Sequence, residues 1–352
     1  TEGLSPNIKL REYQDKAFKY FISYFENPNL HKNKQIHNLF HMATGSGKTE
    51  AALLWLNGEK GFYTLPLKVS SNAIYSRIKT NYSYSDVALL HSDSMAMYLK
   101  EFEQDDTDID EKYNRAKMLS QPLTVCTVDQ LFKFVYKALG TEILAATLKY
   151  SKLILDEIQA YEPRVIATII YGLKTIQEMG GYFAIITATF PPVLKKFMEK
   201  YGLSEGMQYQ FKDFTEKEYQ LDQFPRHKIQ IEKSEINIER ILEQGSTKKV
   251  LVICNTVSKA QKIYKEMQER TENVELLHSC YIRRDRAFLE EKIMLFSESE
   301  KPGIWITTQI VEASLDIDFD ILYTEMCTAD SLLQRMGRCN RKGRYVPEYC
   351  CI

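Results

Sequence analysis

The stretch HNLFHMATGSGKTEAALL, residues 37–54, decides the fold. It opens with a short apolar run typical of a buried strand and closes with the spacing of a helix. Between them, Gly45, Ser46 and Gly47 can turn tightly and direct backbone N–H groups at phosphate oxygens. A strand, a glycine-rich loop and a helix in this order predict a phosphate-binding P-loop in an α/β domain.

The residues around the glycines have the chemistry of a nucleotide site. Lys48 adds a cation for the phosphates, Thr49 offers a hydroxyl to Mg²⁺, and Thr44 belongs to the same loop. One departure is Met42, which stands where the P-loop pattern has its first glycine. Taken alone, such a loop is also compatible with a glycine-rich turn that binds nothing.

A second stretch, KLILDEIQAYEP at residues 152–163, removes most of that ambiguity. Its apolar run ends at Asp156 and Glu157, with Gln159 two residues later. A buried strand that ends here would deliver Asp156 to a metal ion. It would also place Glu157 where it can orient or deprotonate a water molecule that attacks the γ-phosphate. The alternative is an exposed acid pair after a strand, which the P-loop upstream disfavours.

Short apolar runs alternate with amphipathic stretches along most of the chain, which predicts α/β architecture with parallel sheets and helices on both faces. The predicted helices include DQLFKFVYKAL at residues 129–139. The alternation is lost between residues 204 and 226, where the sequence becomes polar, and then resumes. We therefore predict one domain over residues 1–225 and a second over residues 226–352.

Composition narrows the class of protein. The 352 residues carry a formal net charge of −1, so any nucleic-acid contact must come from a local basic groove. The seven cysteines have no metal-ligand spacing, which favours a reduced, cytosolic compartment over disulfides or a zinc site. We find no signal peptide and no apolar run of membrane-spanning length. Because the first residue is Thr1, we expect a piece of a longer chain.

The segment LLQRMGRCNRKGR, residues 332–344, is unusually dense in arginine. If it is helical, Arg338 and Arg341 are three residues apart and share a face. Arginines that one domain presents to a γ-phosphate held by another act as fingers, which are worth about 10³–10⁵ in rate. The alternative is a solvated basic helix.

Taken in chain order, the motifs resemble those of superfamily 2 helicases. The matching segments are LREYQ, ATGSGKT, TLPLKVSSNA, TVDQ, DEIQ, TAT and QRMGRCNR. The longer block ITTQIVEASLDIDFDILYTEMCTADSLLQRMGR is similar to the CRISPR-associated helicase of type I systems, the motor half of a helicase–nuclease. The resemblance implies two tandem RecA-like domains, of which the second is expected to be C-terminally truncated. It also implies ATP and Mg²⁺ as cofactors and ATP-driven translocation on single-stranded DNA.

The resemblance assigns roles residue by residue. Gln14 is expected to read the adenine edge with Arg11 nearby, and Asp316 to contact the ribose or bridge the domains. The P-loop residues, including Lys48 and Thr49, and the acid pair are expected to bind the phosphates, the metal ion and the attacking water. The expected fingers are Arg338 and Arg341. The candidate DNA contacts are Pro66, Lys68, Asn72, Thr127, Gln130, Asn255, Thr256 and Thr308.

Two departures from the family bear on function. Gln159 stands where the family usually has His, and we interpret it as a residue that couples hydrolysis to strand movement through Thr187 or the arginine segment. None of the six histidines is followed by Asp, so the nuclease His-Asp pairs are missing and no nuclease activity is expected.

The expected partners are a CRISPR surveillance complex and a separate or fused metal-dependent nuclease domain, in the prokaryotic cytoplasm. Two alternatives stay open. One is another superfamily 2 DNA or RNA helicase, and the other is an ATPase-inactive nucleic-acid-binding scaffold. The lysine, glutamate and arginines of the nucleotide motifs argue against the scaffold.

Overall fold

The computed structural model describes residues 37–42, 47–82, 84–102, 109–214, 227–312, 315, 317–341 and 348–351. The chain divides into two compact units, residues 1–221 and 222–352. The predicted boundary near residue 225 lies outside the described residues. Each unit is built on a parallel sheet with helices against it, which confirms the predicted α/β class.

The first unit contains a seven-stranded sheet, and every strand pair in it is parallel. The strand order is β3-β4-β2-β5-β6-β1-β7. The strands are β1 (His37–His41), β2 (Gly61–Leu65), β3 (Val87–Leu90), β4 (Leu123–Thr127), β5 (Lys152–Asp156), β6 (Tyr182–Thr187) and β7 (Tyr209–Asp213). The helices are α1 (Lys48–Leu56), α2 (Lys68–Asn81), α3 (Ser94–Phe102), α4 (Ile109–Lys117), α5 (Val128–Leu131), α6 (Glu142–Lys149), α7 (Pro163–Met179) and α8 (Pro192–Lys200).

The central strands are buried along their length because the sheet is covered on both faces. Along β5, Leu153 and Leu155 enter one hydrophobic cluster and Ile154 enters another on the opposite face. This explains why the run before the acid pair shows no alternation of polar residues. The edge strand β7 lies in the polar stretch where the sequence had lost its strand–helix rhythm, and it is half-buried.

The predicted helix over DQLFKFVYKAL is wrong in part. Helix α5 spans only four residues and continues as a 3₁₀ turn over Phe132–Tyr136. Phe132 and Phe134 both enter the same hydrophobic cluster, with ring centroids 6.0 Å apart. Residues two apart lie about 160° apart around an α-helix and about 120° apart around a 3₁₀ turn, so the tighter turn brings the two rings nearer to one side. Gly172 of α7 accommodates the ring of Phe132, which a Cβ would approach to 2.5 Å.

The second unit contains a six-stranded parallel sheet in the order β10-β11-β9-β12-β13-β8. The strands are β8 (His227–Gln230), β9 (Lys249–Ile253), β10 (Val274–Leu277), β11 (Gly303–Thr307), β12 (Ile321–Thr324) and β13 (Glu348–Cys351). The helices are α9 (Ile238–Gly245), α10 (Val257–Gln268), α11 (Arg283–Glu298) and α12 (Ala329–Met336). Two further 3₁₀ turns cover Ile158–Ala160 in the first unit and Gln309–Val311 in the second.

Across the described part of the chain, no helix combines the length and the apolar character that crossing a bilayer requires.

A buried ion pair organises the second unit. The Arg335 side chain is only 1% exposed, and its Nε donates to a carboxylate oxygen of Glu312 at 2.7 Å. Its two terminal nitrogens donate to the Thr324 hydroxyl at 2.8 Å and to the Asn255 amide oxygen at 3.0 Å. One guanidinium therefore joins α12 to the ends of β9 and β12 and to the turn after β11.

We expect Arg335→Ala to lower the free energy of unfolding of the second unit by about 3–5 kcal/mol, because Glu312 would be left buried without its cation. Arg270→Ala is the matched control, since Arg270 pairs with Glu239 on the surface of the same unit. Urea unfolding followed by circular dichroism measures both. Equal effects of the two substitutions would show that the buried network does not stabilise the unit.

Candidate nucleotide site

The topology brings the two sequence motifs to one edge of the first sheet. Strands β5, β6 and β1 are neighbours, and all are parallel, so their carboxyl ends lie side by side. Glu157 N–H donates to the Ile186 carbonyl at 2.9 Å, and Met42 N–H donates to the Thr187 carbonyl at 2.9 Å. The acid pair, the end of β6 and the start of the P-loop are thus held together by backbone hydrogen bonds.

The surroundings of Met42 explain why the first position of the P-loop does not need glycine. Its side chain is buried in the hydrophobic cluster of one sheet face, and its backbone does not have positive φ. Glycine is therefore not required there. It is required at Gly47, which has φ 95° at the amino end of α1 and whose carbonyl accepts from Ala51 N–H at 2.9 Å.

Lys48 and Glu157 form an ion pair that joins α1 to the loop after β5. Glu157 is held in the left-handed region, at φ 53° and ψ 51°, where a non-glycine residue is strained. Burial acts to raise the pKa of Glu157, but the Lys48 ammonium and hydrogen bonds from Lys48 and Gln159 outweigh it. The pKa of Glu157 consequently lies below its usual value, so this residue is a carboxylate.

The hydroxyl of Thr187, at the end of β6, lies within hydrogen-bond distance of three acceptors. Its Oγ1 lies 2.5 Å from the Gln159 amide oxygen, 2.7 Å from the Thr189 carbonyl oxygen and 3.3 Å from a Glu157 carboxylate oxygen. A hydroxyl has a single proton, so these acceptors compete for it. Gln159 also donates its amide Nε2–H to Glu157 at 2.5 Å. The amide therefore connects the acid to the end of the neighbouring strand, as the sequence predicted for Thr187.

Tyr63 is a site residue that sequence reasoning missed. Its hydroxyl donates to Asp156 Oδ2 at 2.8 Å. Strand β2 lies next to β5, which places the phenol beside the acid. The only available signal was a tyrosine inside a fully buried strand, since a buried phenol requires a polar partner.

Asp156 has the environment of a cation ligand. Its side chain is 6% exposed, and burial raises its pKa to about 6, against the opposing effect of Lys48 and with a further rise from Glu157. Within the described part of the chain, no donor reaches its second oxygen, Oδ1. The Tyr63 phenol is influenced by both Asp156 and Thr49, so the two predicted Mg²⁺ ligands lie near the same side chain. A hard oxygen donor set of this kind fits Mg²⁺, which takes few protein ligands beside substrate phosphates.

The arginine segment is not one helix. Helix α12 ends at Met336, so the condition under which Arg338 and Arg341 would share a helix face is not met. The Arg338 side chain is 6% exposed and donates to the carbonyl oxygens of Val311, at 2.7 Å, and Glu312. Arg341 is half-buried, and its backbone N–H donates to the Asp318 carboxylate at 2.7 Å.

Several candidate DNA contacts lie at the carboxyl edges of the two sheets. Lys68 is exposed and pairs with Asp93 at 3.0 Å, and Gln130 donates to the neighbouring Asp129 at 2.5 Å. In the second unit, Thr256 caps α10 by accepting from Lys259 N–H at 3.2 Å.

The remaining candidates vary in how accessible they are. The Asn255 amide is engaged at both ends, because its oxygen accepts from Arg335 and its nitrogen donates to the Met326 carbonyl at 2.9 Å. Thr127 and Thr308 are buried, and Pro66 is half-buried. Six predicted site residues lie outside the described residues: Arg11, Gln14, Thr44, Gly45, Ser46 and Asp316.

Among the described residues, no group of three or more His, Cys, Asp or Glu side chains is arranged to hold a metal ion.

The DEAD/DEAH box helicase family matches residues 11–197, more than half of the chain. The chain belongs to this helicase family. A second match, to the family described as CRISPR-associated nuclease/helicase Cas3, C-terminal, covers residues 246–344. The two matches fall in different units: the helicase match lies in the first unit, and the similarity to the Cas3 C-terminal family lies in the second.

Several proteins of known name are similar to this DEAD/DEAH box helicase. The CRISPR-associated nuclease/helicase Cas3 of Methanothermobacter thermautotrophicus is 34% identical, over 85% of this chain and 37% of that protein. Among solved structures, T. fusca Cas3-AMPPNP has a TM-score of 0.75 at 19% identity, covering 99% of this chain and 48% of that one. A CRISPR RNA-guided surveillance complex, pre-nicking, contains a chain with a TM-score of 0.63 at 18% identity, covering 94% and 44%. The chain spans less than half the length of each.

We expect Thr187→Val to lower the free energy of unfolding by about 1–3 kcal/mol, because Gln159 would lose a buried donor. Thr124→Val is the matched control. Thr124 is a fully buried strand threonine whose hydroxyl has no partner among the described residues, so its removal should be neutral or stabilising. Thermal unfolding of both variants measures the difference. A Thr124 variant that loses as much stability would contradict the role given to the Thr187 hydroxyl.

Proposed function

We propose that this helicase core is an ATP-driven translocase on single-stranded DNA that acts in CRISPR interference. The observation that carries the proposal is the Lys48–Glu157 ion pair, which joins the P-loop helix to the acid loop of β5. A phosphate-binding lysine and a carboxylate poised for water activation are then part of one site. The names of the relatives supply the biological setting, and the relatives are longer than this chain.

In the proposed hydrolysis of ATP, Asp156 and Glu157 have different roles. Lys48 and the backbone N–H groups of the P-loop hold the phosphates, and the ionised Glu157 accepts a hydrogen bond from the attacking water. Thr49 and Asp156 are the residues that would hold Mg²⁺, which supplies charge to the phosphates when bound. Tyr63 orients Asp156 by donating to one of its oxygens, leaving the other for the cation.

The roles of the arginines and of the adenine and ribose residues follow the family pattern. Arg338 and Arg341 are proposed to stabilise the charge that develops at the γ-phosphate. Gln14 and Arg11 would read the base, and Asp316 the ribose. Because Arg338 is bound to carbonyl oxygens inside the second unit, Arg341 is the more accessible of the two.

The DNA contacts proposed at the carboxyl edges of the sheets are of the backbone type, and they carry no sequence information. Lys68 already has an acidic partner in Asp93, so a phosphate would compete with that carboxylate for the ammonium. Sequence-blind contacts suit a motor that moves along a strand, and their affinity should fall with salt.

The partners proposed for this helicase are a CRISPR surveillance complex and a metal-dependent nuclease, separate or fused. The relatives named nuclease/helicase and the structural neighbour in a surveillance complex support both. The nuclease is proposed to act through residues other than the nucleotide site. A prokaryotic cytoplasmic location follows from that setting.

The proposal is tested by ATP hydrolysis in the presence of matched single-stranded DNA and RNA oligonucleotides. We expect stimulation by DNA, and in Glu157→Gln a turnover lowered by about 10²–10⁴ with ATP binding retained, since the amide cannot act as a base. Glu59→Gln is the control, because Glu59 pairs with Lys152 on the surface of the same unit.

Stimulation by RNA alone would favour another superfamily 2 helicase. Absence of ATP hydrolysis with either strand would favour a binding scaffold.

A further inference from the structure

Two buried histidines occupy equivalent places in the two units. His91 directly follows β3 in the sequence VALLHS, and His278 directly follows β10 in VELLHS. In the first unit, α2 connects β2 to β3, and in the second, α10 connects β9 to β10. In both sheets the two connected strands have one other strand between them. The same local fold is thus present twice. The histidines are 2% and 5% exposed.

The hydrogen bonds of the two rings agree in detail. The Nδ1 atom of His91 accepts from Asp93 N–H at 3.1 Å, and that of His278 accepts from Cys280 N–H at 3.2 Å. A ring nitrogen that accepts has no proton. Each neutral imidazole must therefore have its proton on Nε2, which makes Nε2 a donor.

The partner of each Nε2 is a side-chain amide. His91 Nε2 lies 2.7 Å from the Asn72 amide oxygen, and His278 Nε2 lies 3.2 Å from the Gln261 amide nitrogen as the amide is placed. Because Nε2 donates, the facing atom of Gln261 must be its oxygen, which a half-turn of the amide provides. Asn72 and Gln261 are each the fifth residue of their helix, so the two imidazole–amide pairs match in position.

Fixing the oxygen of an amide also fixes its NH₂ group, which must point away from the imidazole. Asn72 is half-buried and Gln261 is exposed. Both lie in the first turns of helices that begin after the carboxyl end of a strand, and open parallel sheets bind ligands at that edge. An NH₂ group is a donor without charge, and phosphate oxygens are acceptors that such amides contact in nucleic-acid complexes.

We propose that His91 and His278 are positioning residues that aim the NH₂ groups of Asn72 and Gln261 at phosphates of single-stranded DNA. The inference rests on the proposed function, and it adds Gln261 and both histidines to the residues that serve DNA binding. Each unit then makes the same contact with the backbone by the same device. The imidazole does not touch DNA; it prevents the amide from turning its oxygen towards the phosphate.

The test uses the full chain and a single-stranded oligonucleotide. We expect His91→Leu and His278→Leu each to raise the DNA concentration for half-maximal ATPase by about tenfold, the worth of one oriented hydrogen bond. The maximal rate at saturating DNA should change much less. The salt dependence of DNA binding should keep its slope, because no cation is lost.

Two further variants separate positioning from folding. His91→Gln restores an N–H donor near the place of Nε2 and should recover part of the affinity. His37→Leu removes a fully buried histidine whose Nδ1 also accepts a backbone N–H, at 3.2 Å, but at the amino end of β1. It should leave the half-maximal DNA concentration unchanged.

Leucine variants at His91 and His278 that bind DNA like the parent protein would overturn the inference while leaving the proposed function intact. A parent protein whose ATPase does not respond to DNA would remove the proposed function and the inference with it. A tenfold loss in His37→Leu as well would also overturn the inference, because any buried histidine would then have the same effect.

Discussion

The ion pair between Lys48 and Glu157 is the contact on which the rest of the first unit's site depends. Glu157 sits in a left-handed backbone conformation that costs a non-glycine residue about 1–3 kcal/mol. It stays there because Lys48 and Gln159 bind its carboxylate, and because its own N–H is fixed by the Ile186 carbonyl. The strained residue is also the one assigned to water activation, which fits the tendency of strain to lie at functional sites.

The polar residues assigned to function share a physical origin in the parallel sheets. The central strands are buried along their length and mostly apolar, so the charged residues and the residues that can reach a ligand lie at their ends. In the first unit this places Asp156, Thr187 and the P-loop on adjacent strand ends. In the second it gathers Asn255, Thr324 and Arg335 into one network. The imidazole–amide pairs lie at the same kind of edge in both units.

Much of this was predictable from the sequence, because apolar runs that end at acids or glycines are local patterns. The α/β class, the acid pair and the contact of Gln159 with Thr187 were all foreseen. Tyr63 was not, since its partner lies 93 residues away along the chain, on a neighbouring strand. The helix expected over residues 129–139 failed because the packing of two phenylalanines overrides local propensity. Arg338 could not be placed, since its acceptors are carbonyl oxygens of a distant turn.

From the contacts of Gln159 with Glu157 and Thr187, we propose that Gln159 couples hydrolysis at Glu157 to movement of DNA. Gln159→Ala removes the amide between Glu157 and Thr187 but leaves Lys48 on the carboxylate, so the chemistry should largely persist. Measuring ATP turnover and strand displacement on the same preparation tests the claim directly. Coupling predicts that displacement per ATP falls severalfold more than the hydrolysis rate. Equal losses in both would contradict it, and would place Gln159 at the phosphate as a participant in hydrolysis alone.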